Sequence, residues 1–178
     1  MKKFTILFLF LTLACSKNEL SEIRYDGTGG ISCLVNGNIL KPKGTAFGPP
    51  NQYLQIYWEQ GIGYLRVGFY NKNSNSEWKI VDIVIPNIEY FNPTTNEVNS
   101  LVGTYSLSKN NLGTYDINVY DDFPTYTTTE NYIGELVIEF HDTENYIISG
   151  TFWFDAVNEN GEVVQIRNGR FDKKINNT

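Results

Sequence analysis

Apolar and polar residues alternate strictly in two stretches of the chain, and each stretch reads as a β-hairpin. In the first, Leu54, Ile56 and Trp58 share one face of a strand, and Leu65, Val67 and Phe69 share one face of the next. If Gly61-Ile62 forms a two-residue turn with glycine at its first position, Trp58 faces Leu65, Ile56 faces Val67 and Leu54 faces Phe69. In the second, Leu136, Ile138 and Phe140 answer Ile148, Gly150, Phe152 and Phe154. A three-residue loop of Thr143-Glu144-Asn145, with Asn145 suited to a left-handed conformation, opposes Phe140 to Ile148 and Leu136 to Phe152.

Further strands are expected at 31–35 and 39–41 around Asn36-Gly37-Asn38, at 79–85 before Pro86, and at 104–107 and 115–120. Two more fall at 163–166, after Asn160-Gly161, and at 169–173. After residue 14 the chain has only Ala46 and Ala156 as alanines, whereas Tyr, Phe, Val, Ile and Thr are abundant, a balance that favours strands over helices. Short strands separated by turn residues throughout predict an all-β fold. The predicted architecture is a single antiparallel β-sandwich, with a closed, lipocalin-like antiparallel barrel as the alternative.

The amino terminus follows a different pattern. Lys2 and Lys3 precede an apolar run over residues 4–14, and Cys15 follows. A basic start and a short apolar run match a secretory signal peptide, and the run is well short of the roughly 20 residues that a membrane-spanning helix needs. Leu11-Thr12-Leu13-Ala14-Cys15 resembles a bacterial lipobox, in which the cysteine is diacylated and becomes the first residue after cleavage. Residues 1–14 are therefore expected to be a signal peptide, 15–29 a lipidated cysteine with a flexible tether, and 30–178 the β domain. Without Lys2 and Lys3, 12 basic residues face 20 acidic ones, a net charge of −8. That balance argues against nucleic acid and against electrostatic adhesion to anionic lipid, so the link to the membrane falls to the acyl chains on Cys15. Cys33, flanked by Ile31 and Leu34, has no second free thiol to pair with and reads as a small buried hydrophobe.

Chemistry-bearing motifs are sparse. The sequence has no His-Glu-x-x-His, Cys-x-x-Cys or Gly-x-Ser-x-Gly, and Gly27-Thr28-Gly29-Gly30 lacks the Lys-Ser/Thr of a phosphate loop. His141 alternates with Glu135, Val137 and Glu139, which reads as an ordinary charged strand face before it reads as an ion site. Asp116, Asn118, Asp121 and Asp122 lack the spacing of a helix-loop calcium site. Acid–base catalysis would have to rest on isolated carboxylates such as Glu59 or Glu139. No catalytic residue, metal or cofactor is expected. The face opposite Leu54, Ile56 and Trp58 is richer: it carries Tyr53, Gln55 and Tyr57 beside Tyr64, Arg66 and Tyr70, with Tyr57 expected opposite Arg66 and Tyr53 opposite Tyr70. Tyrosines with an arginine make an amphipathic surface suited to stacking on sugars or anchoring a protein partner, and the same pairs can serve simply to stabilise the sheet.

Ile31-Ser32-Cys33-Leu34-Val35-Asn36-Gly37 near the front resembles lipoproteins of Bacteroidetes-type bacteria that carry a domain of unknown function. The resemblance is longer at the back, in Ile148-Ser149-Gly150-Thr151-Phe152-Trp153-Phe154, then Asn160-Gly161 and Val163-Val164-Gln165-Ile166, then Asn168-Gly169-Arg170-Phe171-Asp172. It implies an anchored all-β domain in the cell envelope and supplies no catalytic residues. In such bacteria Ser-Lys and acidic residues after the lipid cysteine resemble a surface-export tag. Cys15-Ser16-Lys17-Asn18-Glu19 carries one acid, which favours the cell surface over the periplasmic face of the outer membrane. The sequence thus predicts a non-catalytic, lipid-anchored envelope protein that binds a glycan or protein partner through Tyr53, Tyr57, Tyr64, Arg66 and Tyr70. A β-barrel carrier of a small lipophilic ligand is the alternative.

Overall fold

The computed structural model describes residues 19–44, 52–59, 62–72, 77–92, 94–119 and 123–176, with the side chains of Trp58, Glu59, Ile62 and Val119 excepted. The signal segment, Cys15, Gly61, Asp121 and Asp122 lie outside these residues.

The described residues form strands without helices, as the residue balance predicts. The strands are β1 (Gly30–Val35), β2 (Asn38–Leu40), β3 (Gln52–Glu59), β4 (Ile62–Lys72), β5 (Glu77–Ile88), β6 (Phe91–Asn92), β7 (Glu97–Val98), β8 (Gly103–Leu107), β9 (Leu112–Val119), β10 (Thr125–Thr127), β11 (Gly134–Asp142), β12 (Ile147–Val157) and β13 (Val163–Lys174). Strands β6 and β7 pair only with each other. All others belong to one antiparallel sheet that divides at β12.

One leaf runs β2-β1-β13-β12-β11-β8 and the other β10-β9-β5-β4-β3, and the Thr127–Val157 pairing joins them. The sheet curls so that its far ends also meet: the Asn176 N–H donates to the Leu54 carbonyl at 2.7 Å, and Lys43 bridges β4 through Tyr70 and Lys72. The result is a half-barrel whose two leaves face each other. It lies between the expected sandwich and the expected barrel.

Strand alternation decides which residues fill the space between the leaves. Leu54, Leu65, Val67, Phe69, Val81, Ile83 and Ile85 come from one leaf, and Leu136, Ile138, Ile148, Phe152, Phe154, Ile166 and Phe171 from the other. Cys33 is fully buried among them, and burial pushes its thiol pKa well above the ordinary value, so it behaves as the apolar filler the sequence suggested.

Both hairpin registers differ from expectation, for separate reasons. In the first, Glu59 pairs with Ile62, so Ile62 belongs to β4 rather than to the turn. The ladder therefore shifts by two residues: Leu54 faces Val67, Ile56 faces Leu65, Tyr57 faces Tyr64 and Tyr53 faces Gly68. An even shift leaves every side chain on its predicted face. In the second hairpin, Leu136 meets Phe152 and Ile138 meets Gly150 as expected, but a bulge follows, and Phe140 then pairs with Ser149 and His141 with Ile148. One extra residue reverses the facing of everything after it. Phe140 turns outward, against the Tyr25 ring at 5.4 Å, instead of facing Ile148. The loop is also longer, since Asp142 and Ile147 close it.

Residues expected to form a free tether are in part docked. The Arg24 and Gly29 N–H groups donate to one oxygen of Asp172 at 3.0 and 3.2 Å, and the Gly27 N–H donates to the other at 2.8 Å. The Ser149 hydroxyl donates to that second oxygen at 2.7 Å. The Ser21 N–H donates to the buried Ser32 hydroxyl at 2.7 Å. Residues 21–29 thus form a strap across β1 and β13.

Candidate functional site

Strands β3 and β4 carry the predicted tyrosine face on the side turned away from the core. Alternation places Tyr53, Gln55 and Tyr57 together on β3, and Tyr64, Arg66, Gly68 and Tyr70 on β4. All five predicted site residues therefore share one surface, but their partners differ from those predicted. The Tyr57 and Tyr64 rings stack at 4.7 Å with an interplanar angle of 20°, and the Tyr57 hydroxyl donates to Gln55 Oε1 at 2.7 Å. Tyr70 meets Tyr53 at 5.5 Å, although the two are not directly opposite.

Tyr53 is the exception to exposure, since it is only 8 % accessible. It lies over Gly68, where a Cβ would meet its hydroxyl at 2.6 Å, so a glycine on β4 makes the space for a phenol from β3. The hydroxyl is buried with no hydrogen bond among the described residues. Burial, and after it the nearby Asp82 charge, push the Tyr53 pKa far above its usual range, so the phenol stays neutral. Tyr53 supports the face from beneath and offers little of its own surface to a partner.

Arg66 acquires a partner that the sequence pattern did not indicate. Its Nε donates to both oxygens of Asp82, at 3.0 and 2.9 Å, and its second nitrogen lies 2.8 Å from Oδ2. The guanidinium also lies 4.9 Å from the centre of the Tyr53 ring. Hydrogen bonding to Asp82 raises the Arg66 pKa. Asp82 reaches this face from β5, where it pairs with Gly68. The Asp116 carboxyl, next along on β9, has its pKa raised chiefly by burial and further by the Asp82 charge. On the same face Lys72 Nζ sits 3.9 Å from the centre of the Trp78 ring, extending the aromatic and cationic surface one step beyond the predicted residues. The short apolar alternation of β3 and β4 gave no signal for β5 as their neighbour, and so none for Asp82 or Trp78.

The strand face shared by His141, Glu135 and Val137 in the sequence pattern does not form. The bulge after Ile138 takes His141 off the face of Glu135 and Val137 and turns it toward Leu101, whose N–H donates to Nδ1 at 3.0 Å. Its Nε2 is buried without a partner among the described residues. Desolvation lowers the imidazole pKa, opposed by the Asp142 charge, so the ring is held neutral as a structural acceptor. No group of three or more His, Cys, Asp or Glu side chains among the described residues is placed to hold a metal ion.

A family model described as a domain of unknown function, DUF6252, covers residues 84–174, from the second half of β5 to the end of β13. No curated protein and no solved structure matches the chain. The matched stretch contains the closing strands β11 to β13 and leaves the tyrosine face of β3 and β4 outside it. With just over half of its length covered, the chain belongs to the DUF6252 family of domains of unknown function.

Proposed function

We propose that this chain is a non-catalytic cell-envelope lipoprotein of the Bacteroidetes type, anchored in the outer membrane by acylated Cys15 and displayed at the cell surface, which binds a glycan or protein partner through its tyrosine face. The anchor rests on the lipobox-like sequence ending in Cys15 and on the net charge of −8, which gives the mature domain no attraction of its own for anionic lipid. Cys15→Ala is expected to abolish acylation and release the protein from membranes, measured by partitioning into detergent. Unchanged partitioning of the variant would remove the lipoprotein reading.

The observation that carries the binding reading is the half-exposed, stacked Tyr57–Tyr64 pair beside Arg66. Each of these side chains is already held, by its neighbour's ring, by Gln55 or by Asp82. A partner would meet a surface whose rotamers are fixed before contact, so little side-chain entropy is left to lose on binding. The packed interior does not favour the alternative of a lipophilic carrier, because Phe69, Phe154 and Phe171 occupy the space between the leaves. Arg66→Ala would make a poor test, since it strands the mostly buried Asp82 carboxylate and disturbs the fold. Tyr57→Ala with Tyr64→Ala leaves that ion pair intact. On the full-length lipidated protein in detergent, the pair of changes is expected to weaken a partner found by glycan array or by cross-linking at least ~10-fold, about 1.4 kcal/mol. A folded double variant that binds the same partner as tightly as the parent would assign this face to sheet stability alone.

A further inference from the structure

On the outer side of the other leaf, a groove of about 440 Å³ runs between β11, β12 and β13 beside Trp153. Trp153 points outward because Phe152 and Phe154 on either side of it point into the core, and the residue is 36 % exposed. The Arg167 guanidinium lies 5.4 Å from the ring centre. Asp155 Oδ1 at 2.6 Å and the carbonyls of Phe154 and Ile166 at 3.0 and 2.9 Å hold that guanidinium in place. The tryptophan is therefore positioned by a cation whose own charge is already matched.

Three other side chains lining the groove are unmatched. Glu135 lies directly across the ladder from Trp153, Arg170 lies opposite Thr151, and Asn168 sits at the β13 bulge with φ of 51°. None of the three has a hydrogen-bond or ion-pair partner among the described residues. Glu135 can only accept hydrogen bonds, Arg170 can only donate them, and the Asn168 amide does both. An anionic ligand would suit Arg170 and be repelled by Glu135, and a cation the reverse. A purely apolar group would bury three polar side chains without partners, each losing its bonds to water with nothing in return. A pyranose ring fits all of them: one C–H face for the tryptophan, and hydroxyls that both donate and accept.

We propose that this groove binds a neutral hexopyranose unit of a glycan, with Trp153 as stacking platform, Glu135 accepting from sugar hydroxyls, and Arg170 and Asn168 donating to them. The inference rests on the reading of this domain as a binding module and gives it a ligand class, at a site separate from the tyrosine face.

Calorimetry on the full chain in detergent micelles, with cellohexaose, laminarihexaose, maltohexaose and mannohexaose as probes and hexagalacturonate as anionic comparator, tests it. At least one neutral hexasaccharide is expected to bind. Trp153→Ala should weaken it at least ~10-fold, and Glu135→Gln and Arg170→Ala at least ~3-fold each, with melting curves showing folded variants. Lys109→Ala, an exposed change outside the groove, should leave that affinity unchanged, and Tyr57→Ala with Tyr64→Ala reads whether the saccharide sits on the tyrosine face instead. Absence of binding by all four neutral probes, a preference for hexagalacturonate, or an undiminished affinity in Trp153→Ala would overturn the groove assignment. Saccharide binding lost in the tyrosine variant and kept in Trp153→Ala would overturn the groove while leaving the binding-module reading in place.

Discussion

Phe152→Ala is expected to destabilise the domain by ~3–5 kcal/mol in chemical denaturation, whereas Trp153→Ala, one residue along the same strand, should cost well under half as much. The two rings lie on opposite sides of β12, one facing the core and one facing out. Phe152 is 3 % exposed and pairs with Leu136 on one flank and Gly169 on the other. A Cβ on Gly169 would approach the Phe152 ring to 2.4 Å, so β13 presents bare backbone where the ring lies. That fit is set by the β13 bulge, where Asn168 takes φ of 51° and brings Gly169 into register. Truncation would leave a ring-sized cavity between strands whose ladders on both sides resist collapse, which places the expected loss toward the upper end of the range. Trp153 has lost less water contact and is held by a single guanidinium. Equal small losses for both variants would mean that β12 is not buried on one face alone.

Period-2 alternation made most of this legible because it survives errors of register. The β3–β4 ladder is offset by two residues from the expected one, yet all five predicted surface residues remain on one face, and Leu54, Leu65, Val67 and Phe69 remain on the other. The β11 bulge is the opposite case. A single extra residue has no local signature in Ile138-Glu139-Phe140-His141, and it moved Phe140 out and His141 in. Strand β5 was expected to stop before Pro86 and instead continues to Ile88. It can do so because its pairing with β9 ends at Val84, so Pro86 has β4 as its neighbour on one side only and its missing N–H breaks no second ladder. The joining of the leaves through Thr127 and Val157, and the arrival of Asp82 beside Arg66, depend on pairings between distant segments. Neither segment's pattern specifies its neighbour.

Asp172 is where that non-local information is densest, and it supports the second large expected effect. Its carboxylate is completely buried and, among the described residues, has no salt bridge and accepts four hydrogen bonds: three from backbone N–H groups of the strap at Arg24, Gly27 and Gly29, and one from the Ser149 hydroxyl. Bonds to an ionised acceptor are the stronger kind, and removing the acceptor strands every donor at once. Asp172→Ala is therefore expected to cost ~2–4 kcal/mol, less than four full desolvation penalties because the strap can lift away and return its N–H groups to water. Asp172→Asn should cost nearly as much, since one oxygen becomes an NH₂ that meets donors instead of accepting from them. The location of the loss is the sharper check. Amide hydrogen exchange at Arg24, Gly27 and Gly29 should accelerate by orders of magnitude in either variant, while the β3–β4 ladder keeps its protection. If those three amides exchanged at the parent rate in a folded Asp172→Ala protein, the strap would be held by something other than this carboxylate.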